Sequence, residues 1–155
     1  MAGVALDGST IAPSTKVGHV TYTQLVYNPQ HHQSCTTNSE GQETCHWVDG
    51  YDSYNRTANA TVEGKLKGVS HVKVKGLSVA TSADQTQESW ISDQLDPIAT
   101  NISPSLGDPG TGSVNNSGSH VKINGVPVAL IGTGVTTCLG TSTTLNSGSD
   151  FVNVI

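Results

Sequence analysis

A short segment with the pattern of a β-strand occurs twice in this chain of 155 residues. SHVKVKGLSVAT spans residues 70–81 and SHVKINGVPVAL spans residues 119–130, with 7 of 12 positions identical and an offset of 49 residues. In each copy apolar and polar residues alternate up to a glycine, Gly76 or Gly125, which suits a tight turn. The repeat therefore predicts a unit made of a strand, a glycine turn and a returning strand.

The alternation also assigns the two faces of each unit, because successive side chains of a strand point in opposite directions. The apolar members are predicted to point inward: Val72, Val74, Val79, Val121 and Ile123. The polar members are predicted to point outward: His71, Lys73, Lys75, His120, Lys122 and Asn124. We therefore expect both histidines to be solvated rather than bound to a metal.

A third, shorter copy closes the chain. SGSDFVNVI at residues 147–155 begins like SGSHVKI at residues 117–123. Three similar strand units are typical of a β-protein built from repeats.

The composition agrees with an all-β fold in a single domain of residues 1–155. Gly, Thr, Ser and Asn account for 64 residues, which suits either a disordered chain or a turn-rich β-protein, and the clusters of Val, Ile and Thr favour the second. A formal net charge of −5 with only seven basic residues argues against nucleic acid as a partner.

The first residues, MAGVALDGST, have neither the basic start nor the apolar stretch of a signal peptide. No stretch approaches the roughly 20 apolar residues of a membrane span. We expect a protein that is soluble when made and that leaves the cell, if it does, by a route without a signal peptide.

Two insertions are predicted, one directly after the N-terminal strand and one between the two copies of the repeat. That strand, KVGHVTYTQLVYN at residues 16–28, is expected to end at Pro29, and a hairpin at about 29–57 follows with a turn at Asn38–Gly41. Residues at about 82–116 are expected to form a long loop. Within this loop, a short helix is predicted from about Gln85 to Leu95, with Ser82 as its cap.

Five residues that can ligate a metal fall within one stretch of sixteen residues in the predicted hairpin: His31, His32, Cys35, Cys45 and His46. Thiolates and neutral imidazoles are preferred zinc ligands, and a hairpin can bring residues ten apart face to face. Cys35, Cys45 and His46 are therefore candidate ligands. The alternative is a disulfide between Cys35 and Cys45 that leaves Cys138 free, and the sequence leaves both open.

The segment from Gly118 to Ile155 carries a resemblance to a known family. GSHVKINGVPVALIGTG combines a Gly-Ser pair, a short strand ending in glycine and a proline, Pro127, followed by a short apolar stretch, with Leu130 where the family has arginine. This arrangement resembles the PAAR family, the small pointed proteins on the spikes of bacterial type VI secretion systems and related phage-like machines.

The resemblance implies a fold, a role and a metal site. The fold would be a small cone-like arrangement of short β-hairpins with pseudo-threefold repeats. The protein, made in the bacterial cytoplasm and assembled on the machine before delivery outside, would cap a trimeric spike protein (VgrG-like or from a phage) and help to pierce the target cell envelope. Zinc, or iron, would be held near the apex, where Cys138 and His19 match the positions of expected ligands.

No local signature of a catalytic site is present, so we predict that the protein is not an enzyme. A second class of function is a β-rich adhesin or carbohydrate-binding module. In that case Trp47, Tyr51 and Tyr54 would stack on a sugar.

Overall fold

The computed structural model describes residues 2–155, and all the regular structure in this range is β-strand, which confirms the predicted all-β fold. Thirteen strands follow one another: β1 Ala2–Gly3, β2 Ser14–Thr37, β3 Glu43–Lys67, β4 Lys73–Val74, β5 Leu77–Ser78, β6 Gln85–Ser92, β7 Thr100–Ser103, β8 Gly110–Val114, β9 Lys122–Ile123, β10 Val126–Pro127, β11 Gly134–Thr136, β12 Ser142–Thr144 and β13 Asn153–Val154.

The largest sheet has seven strands in the order β12-β11-β8-β6-β3-β2-β7, and each neighbouring pair is antiparallel. Strand β6 covers β3 only from Ala60 to Lys67, and β7 covers β2 only at Thr21 and Thr23. Residues 24–55, which we call the arm, therefore form a ribbon in which β2 and β3 pair only with each other. At the usual rise per residue the ribbon is about 45 Å long.

Strand β2 does not end at Pro29, so this part of the prediction is wrong. The strand continues to Thr37, and the proline lies where the register with β3 shifts, between Asn28 and His32. A proline removes one backbone donor, and the cost is small where the hydrogen-bond ladder is already interrupted and one edge of the strand is free. The predicted turn at Asn38–Gly41 is present, with the Asn38 side chain accepting the N–H groups of Glu40 and Gln42.

The helix predicted from Gln85 to Leu95 is also wrong, because Gln85–Ser92 is strand β6. Thr86, Glu88 and Trp90 are buried while the residues between them are exposed, so the segment has a period of two. Pairing with β3 on one side and β8 on the other determines this conformation, and the local sequence does not encode those partners. The segment expected to be a loop, residues 82–116, contains three strands.

The two repeats form the hairpins β4–β5 and β9–β10, as predicted. Their turns are Lys75-Gly76 and Asn124-Gly125, and all four residues have positive φ, between 49° and 82°. Two successive residues of this kind define the tight turn whose twist matches that of a hairpin.

The third copy is completed by the opposite end of the chain. Strand β13 pairs with β1, so that Ala2 faces Val154 in the same register in which Val126 faces Ile123. The sequence contains a signal for this pairing, because VALDGS at residues 4–9 is similar to VALIGT at residues 128–133.

Three alanines that follow the returning strands lie together at the centre of the fold. The N–H of Ala5 donates to the carbonyl of Ala129, that of Ala129 to Ala80, and that of Ala80 to Ala5, at 2.8–2.9 Å, which closes a ring of three hydrogen bonds. All three alanines have no exposed surface. We call this arrangement the alanine ring.

The same side-chain turn follows each alanine of the ring. Ser9, Asp84 and Thr133 each accept, through a side-chain oxygen, the backbone N–H of the residue three positions earlier, at 2.8–2.9 Å. Two apolar clusters complete the interior. One contains Val4, Leu6, Val79 and Val128, and the other contains Trp90 with eleven further buried residues, among them Ile11, Leu66, Val135 and Leu145.

Candidate functional sites

The two cysteines of the arm form a disulfide. Cys35 and Cys45 face each other directly across β2 and β3, and their Cα atoms are 4.1 Å apart. Of the two alternatives that the sequence leaves open for this pair, the structure contains the disulfide. Cys138 is the free thiol.

Within residues 2–155, one group of three or more side chains has its metal-ligating atoms within 4.8 Å of one another, namely Cys35, Glu43 and Cys45. This group could hold a metal ion only after reduction, because the ligand form of cysteine is the thiolate and both sulfur atoms are bonded to each other. His46 is not part of the group, since it pairs with Ser34 and its side chain belongs to the other face of the ribbon.

Cys138 lies half-buried against the larger apolar cluster, beside β8. Its backbone N–H donates to Glu88 Oε2 at 2.6 Å, and Gly110 leaves the space that the thiol occupies, since a Cβ there would lie 2.5 Å from Cys138 Cβ. Burial raises the pKa of the Cys138 thiol to about 11, and the nearby Glu88 carboxylate is the second largest cause of this rise. The thiol is therefore protonated at neutral pH.

His19 is half-buried, and its ring packs edge to face on Trp90 with the centroids 5.0 Å apart. Trp90 is a member of the larger apolar cluster, and Cys138 packs against the same cluster. They do not form a group of three or more ligands with any other described residue. Metal binding by Cys138 and His19 stays a prediction.

Glu88 is almost fully buried, with 5% of its surface exposed. Its Oε1 accepts the hydroxyl of Thr86 at 2.6 Å, and its other oxygen accepts the N–H of Cys138. Glu88 is also among the residues that line an open cleft of about 980 Å³, to which β3, β6 and the start of β8 contribute. Because both oxygens already accept hydrogen bonds, Glu88 holds strand β6 to the Cys138 segment.

We call one surface of the molecule the hairpin end. It consists of the short hairpins β4–β5 and β9–β10, strand β13, the segments just before these strands and the residue after β13. Several large apolar side chains are exposed there: Val69, Val72, Leu77, Val121, Phe151, Val152 and Ile155. Three of them, Val72, Val121 and Val152, occupy matching positions and are exposed by 39%, 48% and 40%. Their carbonyl groups accept equivalent hydrogen bonds from Val79, Val128 and Val4 at 2.8–3.0 Å.

The predicted inward direction is therefore wrong for Val72 and Val121, although Val74 and Ile123 do pack against an apolar cluster. The strands begin only at Lys73 and Lys122, so the residue before each strand does not follow its alternation. His71 and His120 are exposed, as predicted. Nζ of Lys75 lies 3.1 Å from the centroid of the Phe151 ring, which links the first hairpin to the C-terminal segment.

The register of the arm separates the aromatic residues that the sequence suggested as one platform. Successive side chains of a strand point to opposite faces. Trp47 and Tyr51 are four residues apart and lie on one face of β3, whereas Tyr54 is three residues after Tyr51 and lies on the other face. Tyr27, directly opposite Tyr51, joins the first face. The guanidinium of Arg56 lies 5.3 Å from the centroid of the Tyr54 ring.

Residues 2–155 contain no helix of the length and apolarity needed to cross a membrane. No family model matches the chain, and neither does a curated protein or a solved structure.

Proposed function

We propose that this chain is a PAAR-like tip protein that caps the trimeric central spike of a contractile injection system or phage tail. The observation that carries the proposal is the alanine ring, in which three segments of one chain make the same contacts with one another. Each segment leads from a short hairpin into the same side-chain turn. We infer three units around one pseudo-threefold axis, with the third unit built from both ends of the chain.

The hairpin end is the surface that we assign to the spike. A single chain that binds a threefold partner must offer three similar contacts, because the partner presents three identical ones. Val72, Val121 and Val152 meet this requirement, since they are exposed to similar extents at matching positions. Exposed apolar residues grouped on one surface are typical of protein interfaces.

The opposite end of the molecule would then lead through the target envelope. A tip needs a rigid body, and here the alanine ring, the buried clusters and the seven-stranded sheet provide one. The metal proposed by analogy is zinc, or iron, at Cys138 and His19. Among residues 2–155, Cys138 and His19 form no group of three or more ligands. The alanine ring, which carries the capping proposal, involves neither residue. Elemental analysis of the protein and of Cys138→Ala tests this part separately.

The capping role is tested by co-expression with a trimeric spike protein and size-exclusion chromatography. We expect a complex of one chain per spike trimer. Val72→Glu combined with Val121→Glu should weaken it roughly tenfold or more, because each carboxylate would be buried against apolar surface.

Val17→Glu is the matched control, because Val17 is 80% exposed on β2 and lies outside the hairpin end. It should leave the affinity for the spike unchanged. If no trimeric spike forms a complex, or if the control weakens binding as much as the pair of valine variants, the assignment of the hairpin end is wrong.

A further inference from the structure

The arm has one face on which aromatic side chains are open to solvent. Along β3 this face carries Tyr51, Asp49 and Trp47, and across from them on β2 lie Tyr27 and Gln33. Tyr27, Tyr51 and Trp47 are exposed by 55%, 56% and 51%. We call these five residues the aromatic face.

Two rings of the aromatic face, those of Tyr27 and Tyr51, have contacts that hold them in place although they are exposed. An isolated two-stranded ribbon is marginally stable. Here the disulfide between Cys35 and Cys45, on the same face, fixes the far part of the ribbon. Tyr27 packs edge to face on Tyr51 with the centroids 5.8 Å apart, and its hydroxyl donates to Asp49 Oδ2 at 3.2 Å. A rigid surface loses little conformational entropy when it binds a ligand.

The opposite face of the arm differs, because within residues 24–55 it carries one tyrosine, Tyr54, and no tryptophan. Asp52 accepts a hydrogen bond from Asn28 and pairs with His31, and the His31 ring fills the space above Gly50. Tyr54 has the guanidinium of Arg56 near its ring. The aromatic face is therefore the side of the arm with rings available to a ligand.

We propose that the aromatic face binds an uncharged oligosaccharide. The exposed faces of Tyr and Trp can stack on the C–H surface of a sugar ring, and Asp49 and Gln33 offer polar groups for its hydroxyls. The Tyr27–Tyr51 pair and Trp47 are separated by about 13 Å along the strand, which is more than one sugar ring spans, so the ligand contains several sugars.

The charge and the spacing of the arm favour this ligand over other polymers. Residues 24–55 contain four carboxylates, Glu40, Glu43, Asp49 and Asp52, and no Lys or Arg, so an anionic polymer would be repelled. The rings are separated by polar side chains and lie on an open ribbon. They do not form the desolvated pocket that accepts an anchoring side chain of a protein partner.

The proposal is independent of the capping role, because the aromatic face and the hairpin end share no residues. The test begins with an array of uncharged oligosaccharides of increasing length, followed by calorimetric titration with those that bind. The oxidised protein is used. Trp47→Thr and Tyr51→Thr should each weaken binding about tenfold, because each removes one stacked ring. A tenfold change in affinity corresponds to about 1.4 kcal/mol. Tyr51→Phe should retain most of the affinity, because it keeps the ring.

Tyr54→Thr is the matched control, since threonine is equally suited to a strand and Tyr54 lies on the other face. It should bind the oligosaccharide as tightly as the unchanged protein. A second readout needs no variant: Trp47 is exposed and Trp90 is 3% exposed, so ligand binding should change the fluorescence of the exposed tryptophan.

Three results would overturn the proposal. The first is that no oligosaccharide binds at millimolar concentration. The second is that Tyr54→Thr weakens binding as much as Trp47→Thr. The third is that the aromatic face captures a protein and no sugar. Loss of spike binding in the valine variants is measured separately, so each proposal can fail while the other holds.

Discussion

At the scale of single residues, the alanine ring brings three buried stretches of backbone into direct contact. Ala5, Ala80 and Ala129 have no exposed surface, and their backbones are joined by hydrogen bonds of 2.8–2.9 Å. Because the three chain segments are buried and joined by direct hydrogen bonds, we expect a side chain larger than a methyl group to be poorly accommodated there. Close packing in the ring accounts for the alanine that each unit has after the valine that follows its returning strand.

We predict that Ala129→Leu destabilises the protein by about 1–3 kcal/mol, because additional methylene groups in a packed interior force the backbone apart. Urea unfolding measures the change. Ala83→Leu, at an exposed position in the turn after Ala80, is the control and should change the stability little. Equal stability of Ala129→Leu and the unchanged protein would contradict the close packing of the ring.

The Cys138 thiol should make stability depend on pH in the alkaline range. Its pKa rises from about 9 to about 11 because the thiol is buried and lies beside Glu88. The folded protein therefore favours the protonated thiol, and this contribution is complete below about pH 9 and is lost as the pH rises towards 11. Unfolding free energies measured across this range should fall more steeply for the unchanged protein than for Cys138→Ala.

Glu88→Gln provides a second check, because it removes the charge and keeps the shape. We expect alkylation of Cys138 in this variant to reach its half-maximal rate at a lower pH. An unchanged pH profile would mean that Glu88 does not contribute to the raised pKa.

At the scale of the elements, the disulfide should stabilise the arm and leave the body unaffected. Cys35 and Cys45 close a short loop in a ribbon that packs on no other strand, whereas β6 is held between two neighbours. Local openings of a protein follow such differences in contacts. In Cys35→Ser combined with Cys45→Ser, we predict faster hydrogen exchange at residues 32–48 and unchanged exchange in β6.

The unchanged protein, reduced with a dithiol, should give the same exchange pattern as the double variant. If exchange rises throughout the sheet, the arm and the body unfold as one unit, and the prediction is wrong.

The elements that the sequence predicts correctly are those whose information is local. The hairpins β4–β5 and β9–β10 each contain their own alternation and turn, and the turn at Asn38–Gly41 contains its own asparagine and glycine. Strand β6 could not be distinguished from a helix, because its conformation depends on β3 and β8. The pairing of β13 with β1 joins the two ends of the chain, and only the weak similarity of VALDGS to VALIGT indicates it.

The candidate sites, too, are predictable from the sequence where their residues are close along the chain and unpredictable where they are distant. Cys35 and Cys45 were expected near each other because one hairpin connects them. The environment of Cys138 depends on Glu88, 50 residues earlier, and no motif in the sequence links the two.

At the scale of the whole molecule, the proposed equivalence of the three units predicts that the chain can be reopened at another hairpin. Ala2 faces Val154 as Val126 faces Ile123, so an Asn-Gly turn can join strands β13 and β1. We expect a permuted chain that is joined there and opened between Asn124 and Gly125 to fold, with a stability within about 1 kcal/mol of the original.

A chain joined in the same way but opened between Ala80 and Thr81 is the control, because that cut falls in the alanine ring and should prevent folding. Circular dichroism and chemical denaturation report both outcomes. An unfolded first permutant would contradict the equivalence of the three units.

The alanine ring also determines when this protein can fold. Its members come from the beginning, the middle and the last quarter of the chain, and β1 finds its partner only when β13 has been made. Contacts between such distant residues form slowly, because long loops must close first. A growing chain on the ribosome therefore cannot close the alanine ring before residue 129 has been made, or pair β1 before residue 154 has been made.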